Sequence, residues 1–591
     1  MQPASGGEKK EDIFMVQIKF EELTVERRAW VTEKLREDKR RLCEYTFAGN
    51  YTWSRFFALR LAVSADGTCG IFRYERKNND VYSFPFGGSD EDKRGLLALV
   101  MAACEESGKV LQLSPIARAD YERLRRWYPG EFLAGANRDL SDYIYEREKL
   151  VKLAGKKFHG KRNHIARFKD AGDWGYEPIT DSNRGDAQAM MEQWKENRSE
   201  EWNVELEQEF CAMMTGLLES EALGLRGGLL RKAGRVVALA LGEPLSDDTF
   251  VVHFEKAFAD VQGAYPMINQ QFAEHAAEGF TYIDREEDTG DPGLRKAKLS
   301  YHPYKLEEKY TAIRSEVVFA DPTDDQTVRQ VCELWQRCFD DGDFSDFYMK
   351  RRAEDKNMLL IYRDGRPVSM ASFLPAVYET NKGAVPVRYT YAVATLPEYR
   401  RQGLAEKILM CAAGLWDEPL VLSPADESLY RYYERMGFVR CFRGENVGER
   451  LVPRKNCRWN FCVEKADAQT YAALRSEYFS VHRNAFLEWD ADAIAFAFEL
   501  NEREGGKNRF LVSESSPQKR ELLMYNIQGQ ELVILETTLS EEILCGLLPE
   551  LFAETGTKRV RYEIPGGMLR LPERLKGFEL PAGGYLNLTL A

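Results

Sequence analysis

One order of elements can be read twice along this chain, and it restricts the fold more than any single residue does. At 185–198 and 206–218 the apolar periodicity is helical; at 227–231, 235–245 and 249–255 it is that of strands; a helix at 265–278 and a strand at 282–284 follow. The same order returns at 324–339, 344–354, 357–363, 367–377, 385–395, 403–417 and 419–424, with one more helix at 427–436. Strands alternating with helices predict an α/β protein with mixed sheets.

A chain of 591 residues leaves room for three to four domains. Five segments are expected: a disordered tail at 1–14, a first α/β half at 15–154, a second at 155–312, the second copy of the repeated order at 313–463, and a smaller α/β extension at 464–591. The first half is expected to hold helices at 25–38, 92–107 and 118–128 and strands at 56–63, 68–74 and 110–114. The extension is expected to hold strands at 510–513, 531–536 and 559–563 and a helix at 540–554.

No apolar run reaches the roughly 18 residues that a membrane span requires. The start of the chain is polar, so no signal peptide is expected and Met15 offers an alternative start; a cytoplasmic, bacterial-type protein is expected. The eleven cysteines are scattered. Cys332/Cys338 and Cys457/Cys462 are the close pairs, neither has zinc spacing, and six dispersed histidines add no cluster, so no metal is expected. A net charge of −13 argues against broad non-specific nucleic-acid binding but allows a local basic patch.

The strongest chemical signal is Val393-Ala-Thr-Leu-Pro-Glu-Tyr-Arg-Arg-Gln-Gly-Leu-Ala405. An apolar strand runs into a basic, glycine-bearing turn that opens a helix. A helix N-terminus leaves amides unpaired and carries partial positive charge, so a diphosphate fits there. Gly403 allows close backbone approach, Ala405 is too small to block a phosphate, and Arg400 and Arg401 add charge at the rim. About 30 residues on stands Leu429-Tyr-Arg-Tyr-Tyr-Glu-Arg-Met-Gly-Phe438.

These two stretches resemble the GNAT acyl-CoA N-acyltransferases. The first resembles the signature Arg/Gln-x-x-Gly-x-Gly/Ala through Arg400, Gly403 and Ala405. The second resembles Phe-Tyr-x-x-x-Gly-Phe. The resemblance implies a GNAT fold with acetyl-CoA or another acyl-CoA as co-substrate and a small-molecule or peptide amine as acceptor. It implies that backbone amides of Arg401, Gln402, Gly403, Leu404 and Ala405 hold the diphosphate, that Tyr391, Val393 and Thr395 hold the pantetheine, and that Tyr433 protonates the departing thiolate. Tyr430 and Tyr432 read as packing or surface residues. Glu398 and Glu379 are candidates for a general base, and Asp426 and Glu427 read first as helix caps. The extension resembles, loosely, that of multidomain GNATs of the enhanced-intracellular-survival type, where it helps close the acceptor cleft.

Two further stretches, 142–168 and 284–303, together resemble the C-terminal catalytic domain of the phosphatidylglycerol lysyltransferases, over about residues 15–312. That resemblance implies a tandem GNAT-like fold and, as an alternative function, aminoacyl transfer from tRNA. Lys152, Lys156, Lys157, Lys161, Arg162, Arg167 and Lys169 cluster within it, and Arg295, Lys296 and Lys298 add charge. Lys156, Lys157, Lys161, Arg162, Arg167, Arg295 and Lys298 are the candidates for holding an anion or tRNA. Their alternative reading is a solvated basic face. Gly263-Ala-Tyr-Pro-Met-Ile-Asn269 occupies the diphosphate-turn position of this half but lacks the signature, so no ordinary CoA binding is expected there. The lysyltransferases carry a membrane-spanning region; none is expected within this sequence, so a lipid acceptor is not expected. Asp284, Glu286, Glu287 and Asp288 read either as an amino-group site or as a surface acidic loop. A third reading of the whole chain is a non-catalytic acyl-CoA or ligand sensor.

Overall fold

The computed structural model describes residues 18–76, 79–198, 202–354, 356–454, 461–514, 519–575 and 583–586. The expected tail at 1–14, Met15 and Cys457 lie outside the described residues. The chain divides into two compact units, Met1–Ser315 and Glu316–Ala591.

The first unit begins with β1 (Glu21–Glu22), α1 (Arg28–Glu37), α2 (Phe47–Trp53), β2 (Arg60–Val63), β3 (Gly70–Arg76) and β4 (Asn79–Tyr82). It continues through α3 (Asp90–Glu106), β5 (Gln112–Ala117), α4 (Arg118–Trp127), β6 (Phe132–Ala136), β7 (Asp142–Glu146), α5 (Arg147–Lys152) and α6 (His159–Asp170). Then come β8 (Trp174–Pro178), α7 (Arg184–Glu196), α8 (Val204–Leu218), α9 (Ser220–Leu223), β9 (Arg226–Lys232), β10 (Arg235–Pro244) and β11 (Thr249–Ala257). The unit closes with α10 (Ala264–His275), β12 (Tyr282–Asp284), α11 (Pro292–Leu299), β13 (Lys305–Glu307), β14 (Lys309–Arg314) and Ser315.

Two seven-stranded mixed sheets result. Their orders are β1-β2-β3-β4-β5-β14-β6 and β13-β7-β12-β11-β10-β9-β8. The chain leaves the first sheet after β6 and returns to it only with β14, which inserts between β5 and β6. The first sheet is therefore completed by residues that follow the whole of the second. Val237, Leu239 and Leu241 of β10 join Met267, Ile268 and Phe272 of α10 in one core, as an amphipathic helix on a buried strand requires.

The second unit opens with β15 (Val317–Phe319), α12 (Asp325–Phe339), α13 (Phe344–Arg351), β16 (Met358–Arg363), β17 (Arg366–Thr380) and β18 (Gly383–Thr395). Next are α14 (Leu404–Trp416), β19 (Leu420–Leu422), α15 (Glu427–Glu434), β20 (Val439–Phe442), β21 (Glu445–Asn446) and β22 (Phe461–Lys465). The extension adds α16 (Ala468–His482), β23 (Ala485–Glu488), α17 (Ala491–Arg503), β24 (Lys507–Ser513), β25 (Arg520–Gln528) and β26 (Glu531–Thr537). It ends with α18 (Glu541–Thr555), β27 (Arg559–Ile564) and β28 (Gly567–Arg570).

The sheet orders are β15-β16-β17-β18-β19-β28-β20, with β23 also on β17, and β21-β27-β26-β25-β24-β22. Two strands of the extension, β23 and β28, thus join the sheet whose strand β18 leads into the Arg400–Ala405 turn. The architecture is mixed α/β throughout. Among the described residues no helix is long and apolar enough to cross a membrane.

Candidate functional site

Glycine turns lead from strand to helix at β4 to α3, β11 to α10 and β18 to α14. Each turn is positioned to present helix N-terminal amides to an anion. The structure treats them differently.

At the first turn the amides are already used. Gly87 N–H donates to Asp38 Oδ2 at 3.0 Å, Gly88 N–H to Glu37 Oε2 at 3.0 Å, and Ser89 N–H to Asp92 Oδ2 at 2.8 Å. Asp90, Glu91 and Asp92 fill the first turn of α3. Three acids complement the helix dipole and repel a phosphate. At the second turn, a Cβ on Gly263 would come within 2.3 Å of the His164 carbonyl oxygen, so the backbone of α6 lies directly over it. Gly263 has φ +84°, and both its conformation and the close approach require glycine.

The third turn is open. Arg400, Arg401, Gln402 and Gly403 are exposed, and no atom lies within 4 Å of the position a Gly403 Cβ would take. Gly403 has φ +73° and Arg401 φ +65°. No side chain caps α14. Leu404 is buried and Ala405 half-buried, which anchors the helix start. Glu406 is the one acid of its first turn. Arg400 Nε donates to the Thr395 carbonyl at 3.1 Å, tying the turn to the strand end.

The strand before this turn separates from its neighbour. β18 pairs with β19 in parallel only at Arg388–Leu420 and Tyr389–Val421. Its register with β17 then slips, from Ser372↔Tyr391 to Met370↔Ala394, and Ala392 takes φ +51°. A bulge re-aims the strand at this point. Tyr391, Val393 and Thr395 fall on the separated stretch. The Thr395 hydroxyl is tied to Ser369 Oγ at 2.8 Å, the Tyr391 ring lies 6.0 Å from Trp335 and 5.7 Å from Tyr348, and Thr390 Oγ1 is buried without a hydrogen-bond partner.

Tyr433 lies on α15, 7% exposed, against the rings of Tyr432 and Phe438. Burial raises its hydroxyl well above the ordinary phenol value, so it stays protonated. Of the carboxylates read as bases or caps, Glu398, Asp426 and Glu427 are otherwise engaged. Glu398 forms a two-pronged pair with Arg337 at 3.1 Å, Asp426 caps α15 through Ser428 N–H and Leu429 N–H, and Glu427 pairs with Arg440. Glu379 stands where β17 pairs with Phe486 of β23.

In the second sheet of the first unit the matching gap holds different chemistry. β11 pairs with β12 only over Thr249–Val251. Its register with β10 slips at His253, between Leu241↔Phe254 and Gly242↔Val252. His253 Nδ1 lies 2.7 Å from Glu286 Oε1 and Nε2 lies 3.1 Å from Glu243 Oε1. Burial opposes the charge, but the two carboxylates raise the imidazole to about 10, so it is an imidazolium near neutral pH. Sequence reading missed it, because Glu243 and Glu286 are brought to it from separate elements.

Beside it stands a buried ionic cluster. Lys309 Nζ lies 2.8 Å from Glu44 Oε1, 2.8 Å from Asp142 Oδ1, 3.0 Å from Glu287 Oε2 and 3.2 Å from Cys43 Sγ. Cys43, Asp142 and Glu287 have a spacing that would suit a metal ion, and the Lys309 ammonium stands among them in a cation's place. Burial lifts Asp284 to about 8, against the charge of Lys309 and the Glu286 N–H. Burial also opposes the charge of Glu287, but Lys309 holds it down to about 2. Asp284 and Asp288 are fully buried, so the surface-loop reading of this acidic run fails at both. Asp288 accepts from Arg295, Arg138 and Tyr143.

The sequence-predicted basic residues separate into two groups. Arg162 donates to the Gly155 and Leu153 carbonyls, Arg295 pairs with Asp288 and Asp139, and Lys298 donates to the carbonyls of Arg285, Glu286 and Glu287. These three hold the fold together and do not offer free charge. Lys161 lies 4.0 Å over the Tyr301 ring. Lys156, Lys157 and Arg167 are exposed.

Asp284 gives a pH prediction. Its folded value of about 8 stands above its ordinary 3.8, so wild-type stability falls as pH rises between the two. Asp284→Asn keeps an acceptor for the Glu286 N–H at 2.7 Å and removes the charge. The variant's melting temperature should exceed wild type at pH 8, and the gap should shrink toward pH 4 in a thermal-melt series.

Residues 36–313 match the family described as "Phosphatidylglycerol lysyltransferase, C-terminal", and residues 320–441 match "Acetyltransferase (GNAT) domain". A conserved protein of unknown function from Bacteroides thetaiotaomicron is 33% identical, covering 50% of this chain and 100% of that one, with a TM-score of 0.48. The C-terminal domain of a putative lysylphosphatidylglycerol synthetase from Agrobacterium fabrum is 15% identical, covering 49% and 92%, with a TM-score of 0.38. A GCN5-related N-acetyltransferase from Anabaena variabilis is 17% identical, covering 45% and 75%, with a TM-score of 0.36. A search of the curated proteins finds no match.

Proposed function

The chain belongs to the phosphatidylglycerol lysyltransferase C-terminal family over residues 36–313 and carries a GNAT acetyltransferase domain over 320–441, which makes it an acyltransferase, and from that premise we propose that the second domain transfers an acetyl group from acetyl-CoA to a primary amine. The observation that carries the reading is the contrast among the three turns: one is filled by carboxylates, one is covered by α6, and the one at Gly403 is open, basic and uncapped.

In this reading the amides from Arg401 to Ala405 take the diphosphate, and the separated stretch of β18 at Tyr391, Val393 and Thr395 takes the pantetheine by ladder-type hydrogen bonds. When bound, acetyl-CoA supplies a thioester carbonyl. The neutral amine attacks that carbon, a C–N bond forms and the C–S bond breaks. The electron pair leaves with sulfur, and one proton moves in net terms from nitrogen to sulfur, giving an amide and free CoA thiol. Tyr433 delivers the proton to sulfur. Positioning supplies the greater part of the rate.

Thermal-shift titration with acetyl-CoA tests the binding step. Saturation at about 100 times Kd should stabilise the native state by about 2.7 kcal/mol, and no shift at millimolar acetyl-CoA would remove the reading. Tyr433→Phe should lower kcat about 100-fold with acetyl-CoA affinity unchanged, in steady-state assays on an amine panel.

A second reading, aminoacyl transfer from tRNA by the first unit, is favoured by His253 at the bulge and by the exposed Lys156, Lys157 and Arg167. Salt-sensitive retention on aminoacyl-tRNA would support it. Tight acetyl-CoA binding without turnover of any amine would favour a sensor.

A further inference from the structure

Cys43 and Lys309 stand 266 residues apart in the chain, yet Lys309 Nζ lies 3.2 Å from Cys43 Sγ. The backbone of each residue fixes this contact. Cys43, in the connection between α1 and α2, donates its N–H to Asp142 Oδ2 at 3.0 Å and accepts at its carbonyl from the Thr46 hydroxyl at 3.1 Å. Lys309 opens β14, opposite Ala117 of β5. Cys69, Cys104 and Cys211 by contrast meet the Asp92 carbonyl, the Tyr82 phenol and the Glu207 carboxylate, none of which is an amine.

Reacting atoms about 3–3.5 Å apart are poised for attack, and the sulfur and nitrogen here are that close. A cysteine oxidised to a sulfenic acid condenses with a nitrogen held in reach, giving a sulfenamide. The cluster borders solvent: Cys43 is 7% exposed, and the side chains of Glu44 and Glu287 are 33% and 23% exposed. So narrow an opening suits an oxidant as small as hydrogen peroxide. Glu44 Oε1, 2.8 Å from Lys309 Nζ, is placed to take the proton that turns the ammonium into an attacking amine.

We propose that Cys43 and Lys309 form a reversible sulfenamide cross-link when the protein meets a peroxide. In the first step the sulfur attacks one peroxide oxygen. The O–O bond breaks, an S–O bond forms, and the other oxygen leaves as water with the thiol proton. In the second step the Lys309 amine attacks the sulfenic sulfur. An S–N bond forms, the S–O bond breaks, and the hydroxyl leaves as water with a proton of the amine. Sulfur is oxidised and the peroxide is reduced. The new bond ties the α1–α2 connection to the strand that completes the first sheet. It also removes the ammonium that Glu44, Asp142 and Glu287 share, which changes the charge beside Glu286 and His253. A small thiol reverses the bond by attacking sulfur and releasing the amine, and a second thiol then frees Cys43 from the mixed disulfide.

The test treats the full-length protein with hydrogen peroxide, digests it with trypsin without reductant and weighs the peptides. Trypsin does not cut after a modified lysine, so Leu42–Arg55 and Leu306–Arg314 should appear joined, lighter by a pair of hydrogen atoms than the two separate peptides together. Dithiothreitol added before digestion should abolish the joined species. Cys43→Ser, which keeps an acceptor for Lys309, should never show it. Cys43 left as a thiol, or carried on to a sulfinic acid without a joined peptide, would overturn the assignment. So would a joined peptide that dithiothreitol fails to open, or one that persists in Cys43→Ser.

Discussion

Ala405→Glu should weaken acetyl-CoA binding about 100-fold, close to 2.7 kcal/mol, without lowering the melting temperature. Ala405 is the second residue of α14, where the amides have no side-chain cap. A glutamate there is favoured by the helix dipole, by about 0.3–1 kcal/mol, so the fold is retained or slightly stabilised. The same carboxylate competes for the amides and repels a diphosphate. The first unit already contains this arrangement: at Gly87 and Gly88 the chain's own Glu37 and Asp38 take the turn amides, and three acids fill the helix start. Calorimetric titration of the variant decides the matter. Affinity within about 3-fold of wild type would mean that the diphosphate does not sit on this turn.

Lys309→Met should destabilise the first unit by about 3–5 kcal/mol, the usual cost of stranding a buried charge. The ammonium is 1% exposed and lies among Glu44, Asp142 and Glu287. Methionine fills much of the same space, so lost volume contributes little. The carboxylates that Lys309 balances would then face one another. They can escape by taking up protons, so the deficit should be smaller at pH 5 than at pH 8. For wild type the sign is clear on both sides. Glu287 is held down to about 2, below its ordinary 4.5, so its contribution is present above 4.5 and is lost as pH falls toward 2. Lys309 is raised above its ordinary 10.5, so its contribution is complete below that value and is lost only above it. Chemical denaturation of both proteins at the two pH values measures this directly. Equal deficits at pH 5 and pH 8 would show that the cluster is not governed by charge.

The glycine turn at Arg400–Ala405 was legible in the residues because its requirements are local. A positive φ at position 403 calls for glycine, a small residue must follow in the helix start, and a strand must precede it; all of this lies within 393–405. The repeated helix and strand order was legible for the same reason, since periodicity is a property of short windows. The extension was read less fully. Helices α16 and α17 and strands β22, β23, β25 and β28 were not anticipated, and the helical amphipathicity of α16 is weak, with Tyr471, Arg475 and Phe479 as its buried residues. The acidic run at 284–288 was visible, but two of its carboxylates proved to be buried and one of those to be fully bonded by Arg295, Arg138 and Tyr143.

By itself the sequence determined most of the α/β elements, the basic glycine turn at Arg400–Ala405 and the tyrosine helix that precedes Gly437, since each depends on contacts within a few residues. The tertiary structure alone decided which glycine turn stays open, that β14 completes the first sheet and β28 the third, and that His253 stands between Glu243 and Glu286. The physical reason is range. Propensity, capping and φ are set by neighbours in the chain, whereas occupancy of an amide, burial of a carboxylate and the pairing of a strand edge depend on groups that only folding brings together.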